Sequence, residues 1–161
     1  MLSKLDLFEK IVRRISAEAE STVRNLEPQP PHPFETRNIH SRLPKIVKDL
    51  FDDGHFAQAT FEAFKFIDKE VQKHSNLKET GYRLMMAAFQ DNSPSIKLTP
   101  LSNQSEQDEQ KGYQFLFAGS ALAIRNPRGH EYGIKDDIDT CLDHLSLASI
   151  FIRRLEQSNY M

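Results

Sequence analysis

Apolar residues recur along this chain at intervals of three and four, the spacing that lines one face of an α-helix. Leu5, Phe8, Ile11, Val12, Ile15 and Ala19 follow it with Lys10, Arg13, Arg14 and Glu18 opposite, which predicts a first helix over 5–26. Ile46, Val47, Leu50 and Phe51 predict a short helix over 43–53, with Pro44 tolerated in its first turn and Gly54 as its stop. The strongest stripe runs from His55 to His74 through Phe56, Ala59, Ala63, Phe66, Ile67 and Val71, widened by Phe61 and Phe64. Tyr82, Leu84, Met85, Met86 and Phe89 predict a helix over 79–89, followed by a polar, proline-punctuated loop over 91–104. Ser105 with Asp108 reads as a capping box opening a helix over 106–125. The last helix, 134–157, carries Ile138, Cys141, Leu142, Leu145, Ala148, Ile152 and Leu155 on one face. Asp136, Asp137 and Asp139 in its first turns, and Arg153 and Arg154 near its end, suit the helix dipole. No alternating strand pattern is present, and only Ile96–Thr99 leaves room for a short strand. The pattern predicts an all-α fold, a bundle of four to five helices with an extra N-terminal helix.

Proline divides this pattern. Pro28, Pro30, Pro31 and Pro33 favour stiff, extended backbone, so the expected organisation is an N-terminal helix over 1–27, a spacer over 28–36 and a helical domain over 37–161. The first helix then reads as an attachment or oligomerisation element. A chain of 161 residues with 39% hydrophobic and 27% charged residues buries a real core as one domain with an appendage. A net charge of −2 provides no general attraction for nucleic acid and leaves only local patches to do so. The single cysteine, Cys141, lies within an apolar stripe, which suits a small core residue in a reducing compartment. With no membrane-length apolar run and no signal-peptide core, the expected location is the cytoplasm.

Chemistry concentrates in Arg125-Asn126-Pro127-Arg128-Gly129-His130, between the last two long apolar segments. Pro127 disfavours helical geometry at the residue before it, so a helix is expected to stop at Arg125–Asn126 and a turn to present the rest. An always-charged guanidinium can clamp a phosphate, and an imidazole beside it can transfer protons near neutral pH. The spacing alone favours the structural reading, an arginine at a helix C-terminus and a histidine bonded to its loop. The six histidines show no paired metal-ligand spacing, so no metal is expected, and no phosphate-cradling glycine loop or nucleophile elbow is present. No cofactor is implied. Arg37-Asn38-Ile39-His40 is a second arginine–histidine pair and reads as the lead into the helical domain, while the Phe-rich stripe of 56–66 reads as core.

Two blocks carry a family resemblance over roughly residues 37–157. One is Leu50-Phe51-Asp52-Asp53-Gly54-His55-Phe56-Ala57-Gln58-Ala59, continuing through Phe61-Glu62-Ala63-Phe64-Lys65. The other is Lys111-Gly112-Tyr113-Gln114, then Phe117-Ala118-Gly119-Ser120-Ala121, leading into Ile124-Arg125-Asn126-Pro127-Arg128-Gly129-His130-Glu131. Together they resemble the HEPN superfamily, in particular its Ymh-like branch from bacteria and phages. HEPN domains are helical bundles whose signature is an arginine, a polar residue and a histidine after four to six intervening positions. Arg125, Asn126 and His130 supply the four-residue form.

The resemblance implies a metal-independent endoribonuclease, serving as a toxin or an antiviral effector. Its chemistry would use the RNA 2′-hydroxyl as nucleophile, His130 as acid or base, Arg125 as phosphate clamp, and Asn126 either to orient the histidine or to hydrogen-bond the substrate. Arg128 would add substrate-binding charge at the mouth, by its position. One histidine cannot readily be both acid and base in a turnover, and the family's composite site at a homodimer interface would supply two. RNA, a second copy and an antitoxin or regulatory partner are the expected partners, with no membrane. The alternatives are a non-catalytic nucleotide- or RNA-binding module, and a dimerisation module whose Arg125-to-His130 corner is buried and ion-paired.

Overall fold

The computed structural model describes residues 4–24, 30–131 and 133–158. The chain divides into two compact units, residues 1–32 and 33–161. The first holds α1 (Lys4–Arg24), on which Leu5, Phe8, Ile11, Val12 and Ile15 form an exposed apolar stripe. The last two residues of the helix predicted over 5–26 lie outside the described residues.

The second unit holds α2 (Pro33–Thr36), α3 (Lys45–Asp52), α4 (Phe56–Ser75), α5 (Gly81–Ala88) and α6 (Gln104–Ser120). A π turn (Ala121–Arg125), α7 (Asn126–His130) and α8 (Ile138–Gln157) complete it. The described residues contain no strand, including at 96–99, so the architecture is all-α. One part of the expected spacer differs: Pro33–Thr36 is a helical turn, and Phe34 sits 5.0 Å from the ring of Phe51. Its ring buries apolar surface on the bundle, and that gain outweighs the extended preference of the prolines before it.

The core forms where α4 and α8 pack together and α5 and α6 close over them. Ala59 and Ala63 of α4 are fully buried, as are Cys141, Leu145 and Ala148 of α8. Phe89, Phe117 and Phe151 stack in series with centroids 4.6 and 4.2 Å apart, each contributing roughly 1.5–3 kcal/mol by burial. A buried amide fastens the loop that precedes α6. The Oε1 of Gln110 accepts from the Leu98 N–H (2.7 Å), and its Nε2 donates to the Ile96 and Phe89 carbonyls (3.0 and 3.2 Å). Ile96 and Leu98 can then bury their side chains without orphaning their backbone, which answers the need a strand would have met.

Helix ends depart from the expected in two places. The cap of α6 is Asn103, whose side chain accepts from the Glu106 N–H at 3.0 Å, while Glu106 accepts from Ser102. An Asn-x-x-Glu cap therefore replaces the expected Ser105–Asp108 pair, starting the helix two residues earlier. At the other end the helix does not stop at Arg125–Asn126. It passes through the π turn, where the Asn126 N–H bonds the Ala121 carbonyl, and continues as α7 through Pro127. A regular helix would drive the Pro127 ring into the carbonyl four residues back; widening to an i→i+5 turn relieves that clash. The helix α8 starts at Ile138 rather than 134, because Asp137 caps it by accepting from the Thr140 N–H at 2.7 Å. Asp136 therefore lies before the helix and is free for another partner.

Candidate functional site

Running through the π turn and α7 in helical geometry, the segment 125–130 sends its side chains to different sides. Arg125 and Gly129, one turn apart, face Phe61 of α4. The Arg125 guanidinium carbon lies 5.8 Å from the Phe61 ring centroid, with the Lys65 ammonium 5.7 Å from it. A Cβ built on Gly129 would meet Phe61 at 2.6 Å, so only glycine lets α7 lie this close to α4. Arg125 Nη1 donates to Asn126 Oδ1 at 3.1 Å, and Nη2 stands 3.6 Å from Asp68 Oδ2. Asp68 also accepts from the Gly81 N–H at 3.0 Å, where the chain enters α5 with φ +57°. Gly81 packs under the guanidinium, its Cβ position 3.7 Å from Arg125 Nη1. Burial pushes the Asp68 carboxyl above its ordinary range, outweighing the opposing pull of Arg125, the Gly81 N–H and Lys69.

Arg128 is held differently. Its Nε and Nη2 donate to the two oxygens of Asp136 at 2.7 and 2.6 Å, and Nη1 donates to the Ile124 carbonyl at 2.8 Å. Every guanidinium nitrogen is bonded, with side-chain exposures of 9% for Arg128 and 5% for Asp136. This corrects the expectation that Arg128 adds open charge at the mouth: a bidentate carboxylate neutralises it. His144 of α8 lies behind the pair, its Nδ1 4.0 Å from Asp136 Oδ2, and burial with Arg128 nearby holds it below the usual histidine range. Cys141 is fully buried, and burial pushes its thiol up to about 11, which leaves it an inert core residue.

His130 closes α7 with an exposed side chain that has no hydrogen-bond partner among the described residues. Five residues of α-helix turn it about 140° from Arg125, so the two do not point to the same side within one chain. A separate exposed stripe runs along α6 and the π turn. Gly112, Phe115, Leu116, Gly119, Leu122 and Ala123 are all exposed, with Phe115 and Leu116 each at 54%. Nothing lies within 4 Å of a Cβ on either glycine.

The motif Arg125, Asn126 and His130 was apparent in the sequence; its supports were not. Asp68 carries a signal in retrospect, an acid four residues after Phe64 and three before Val71, inside the buried stripe of α4. Phe61 reads as core yet is only partly buried beneath Arg125. The pair Arg37 and His40 joins α8 instead of the motif, Arg37 to Asp143 at 2.9 Å and His40 to Glu156 at 3.1 Å. An open groove of about 480 Å³, lined in part by His55, Gln58, Arg128, Lys135 and Asp136, lies beside the Arg128 pair. Among the described residues no three His, Cys, Asp or Glu side chains converge to hold a metal ion. No described helix is long and apolar enough to cross a membrane.

No curated protein and no solved structure matches this chain. One family model does, Hypoth_ymh, described as a protein of unknown function, over residues 37–155. The match spans both sequence blocks and every residue placed around Arg125, from Phe61 and Asp68 to His130: the chain belongs to the Hypoth_ymh family.

Proposed function

We propose that this protein is a HEPN-type, metal-independent endoribonuclease that works as a homodimer, in the setting of a toxin or antiviral effector. The observation that carries this reading is the contrast between two arginines three residues apart. Arg128 is fully bonded to protein, while Arg125 has a single hydrogen bond, through Nη1, an ion contact to Asp68 at 3.6 Å and a buried Nε with no partner among the described residues. A partly exposed guanidinium left short of acceptors is suited to a phosphate oxygen.

In this mechanism the 2′-hydroxyl oxygen attacks the adjacent phosphorus while one His130 takes its proton. The P–O5′ bond breaks as a second imidazolium donates a proton to the leaving oxygen. The products are a 2′,3′-cyclic phosphate and a free 5′-hydroxyl. Arg125 offsets charge on the non-bridging oxygens, and Asn126 holds Arg125 through its side-chain oxygen. Arg128 has a positioning part only, tying α7 to the segment before α8 through Asp136.

The exposed stripe supports the dimer. Gly112 and Gly119 leave room for a second copy of α6 to approach closely, and a two-fold contact on this side of the chain is the arrangement that would supply a second exposed His130. Gly119→Arg, whose Cβ would have nothing within 4 Å, is expected to give folded monomers by analytical ultracentrifugation and to abolish cleavage.

The decisive experiment is cleavage of labelled single-stranded and transfer RNA in excess EDTA, beside His130→Ala. Cyclic phosphate ends that disappear in the variant are expected. Cleavage that survives it refutes the assignment, and a folded dimer that binds RNA without cutting favours the non-catalytic binding module.

A further inference from the structure

A guanidinium presents five N–H groups in a fixed fork, and buried ones normally find acceptors. Arg125 is only 22% exposed, yet its one ion-pair partner among the described residues, Asp68, stands at 3.6 Å, outside hydrogen-bond length. The carboxylate is better placed for others: it is 5% exposed and bonded by the Gly81 N–H at 3.0 Å. That backbone bond, the left-handed Gly81 and the long α4 hold Asp68 fixed, whereas Arg125 sits on a π turn at the edge of a short helix. The acid is thus anchored and the arginine loosely attracted to it. A phosphodiester oxygen is the same kind of acceptor as a carboxylate oxygen.

From this geometry we infer that Asp68 is a resident counter-ion for Arg125, a stand-in that a substrate phosphate displaces from the guanidinium. The inference rests on the nuclease reading for the identity of the phosphate and adds a regulating residue to that site. Asp68 touches no substrate. It holds Arg125 over Phe61 in the free protein and weakens non-productive phosphate binding by competing for the same N–H groups. Lys69 and Lys65 of α4 are the other cations near this contact, and Asn126 fixes the remaining edge of the fork.

The test uses the full chain and an uncleavable probe, a fluorescein-labelled single-stranded RNA methylated at every 2′-oxygen. Its dissociation constant is measured by anisotropy across a salt series for the parent, Asp68→Asn, Arg125→Ala and the double variant. Asp68→Asn preserves an oxygen for the Gly81 N–H and removes the charge. It is expected to bind at least about threefold more tightly, with a steeper salt dependence, and to lose that gain when Arg125 is also replaced. A gain of equal size without Arg125, or no gain, overturns the inference. If Arg125→Ala still weakens binding in that case, the phosphate clamp stands and only the role of Asp68 fails. If Arg125→Ala binds like the parent, both fail. Should Asp68→Asn not fold, carbon-13 spectra of aspartate-labelled parent protein decide. The Asp68 carboxyl resonance is expected to move as probe is added, and a stationary resonance overturns the inference.

Discussion

Replacing Arg128 by alanine is expected to cost the fold far more than replacing Arg125, although both lie in the same motif. Arg128→Ala removes three hydrogen bonds and leaves Asp136, 5% exposed, as a buried carboxylate with no cation on it. Stranding a buried charge in this way costs about 3–5 kcal/mol. The unfolding entropy of a unit of roughly 130 residues is about 0.27 kcal/mol per kelvin, so the melting temperature should fall by about 11 °C or more. Arg125→Ala removes one hydrogen bond, a ring contact and a charge contact at 3.6 Å, and Asp68 keeps the Gly81 N–H. About 1–2 kcal/mol is expected there. Urea unfolding followed by circular dichroism measures both, with the double variant Arg128→Met/Asp136→Leu as the control that should recover most of the loss. Equal losses from the two single variants, or a larger one at Arg125, would refute the division of the motif into one structural and one available arginine.

Gln110→Met keeps the volume but leaves the Leu98 N–H and the Ile96 and Phe89 carbonyls unbonded, so a loss of at least about 3 kcal/mol by urea unfolding is expected. Gly129→Ala should push α7 off Phe61 and lower RNA cleavage; Phe61→Leu in the same chain should restore part of it, and no rescue would place the damage elsewhere. His144 should titrate by NMR below the usual histidine value near 6.5. Its depressed value means the stability it contributes is present above pH 6.5 and is lost as pH falls through the folded value, so His144→Gln should flatten the acid side of the stability profile. A His144 midpoint at or above 6.5 would contradict its burial beside Arg128.

The helices were legible because their apolar stripes are long and one-sided; α4 and α8 fall within a few residues of their predicted limits. The end at Arg125–Asn126 was misplaced because the rule for residues before proline assumes a regular helix, and the π turn lies outside that assumption. The cap at Asn103 was missed for a smaller reason: two cap patterns two residues apart compete, and only the backbone decides. Within the site, Arg125, Asn126 and His130 could be picked out by spacing along one segment. Asp68, Gly81 and Asp136 could not, since each meets its arginine across a gap that the chain closes only on folding. That pairing also assigned Arg128 its partner, which no local pattern announces.

The π turn has a consequence for how the motif is counted. An i→i+5 turn is an α-helix carrying one surplus residue, and one residue of helix is about 100° of rotation. Everything after Arg125 is therefore re-aimed by about that angle relative to the apolar stripe of α6. The four residues between Arg125 and His130 set only their separation; the surplus residue upstream sets which way the histidine looks. Straightening this turn into regular helix with every residue kept would leave the motif and its spacing intact, yet swing His130 by about that angle.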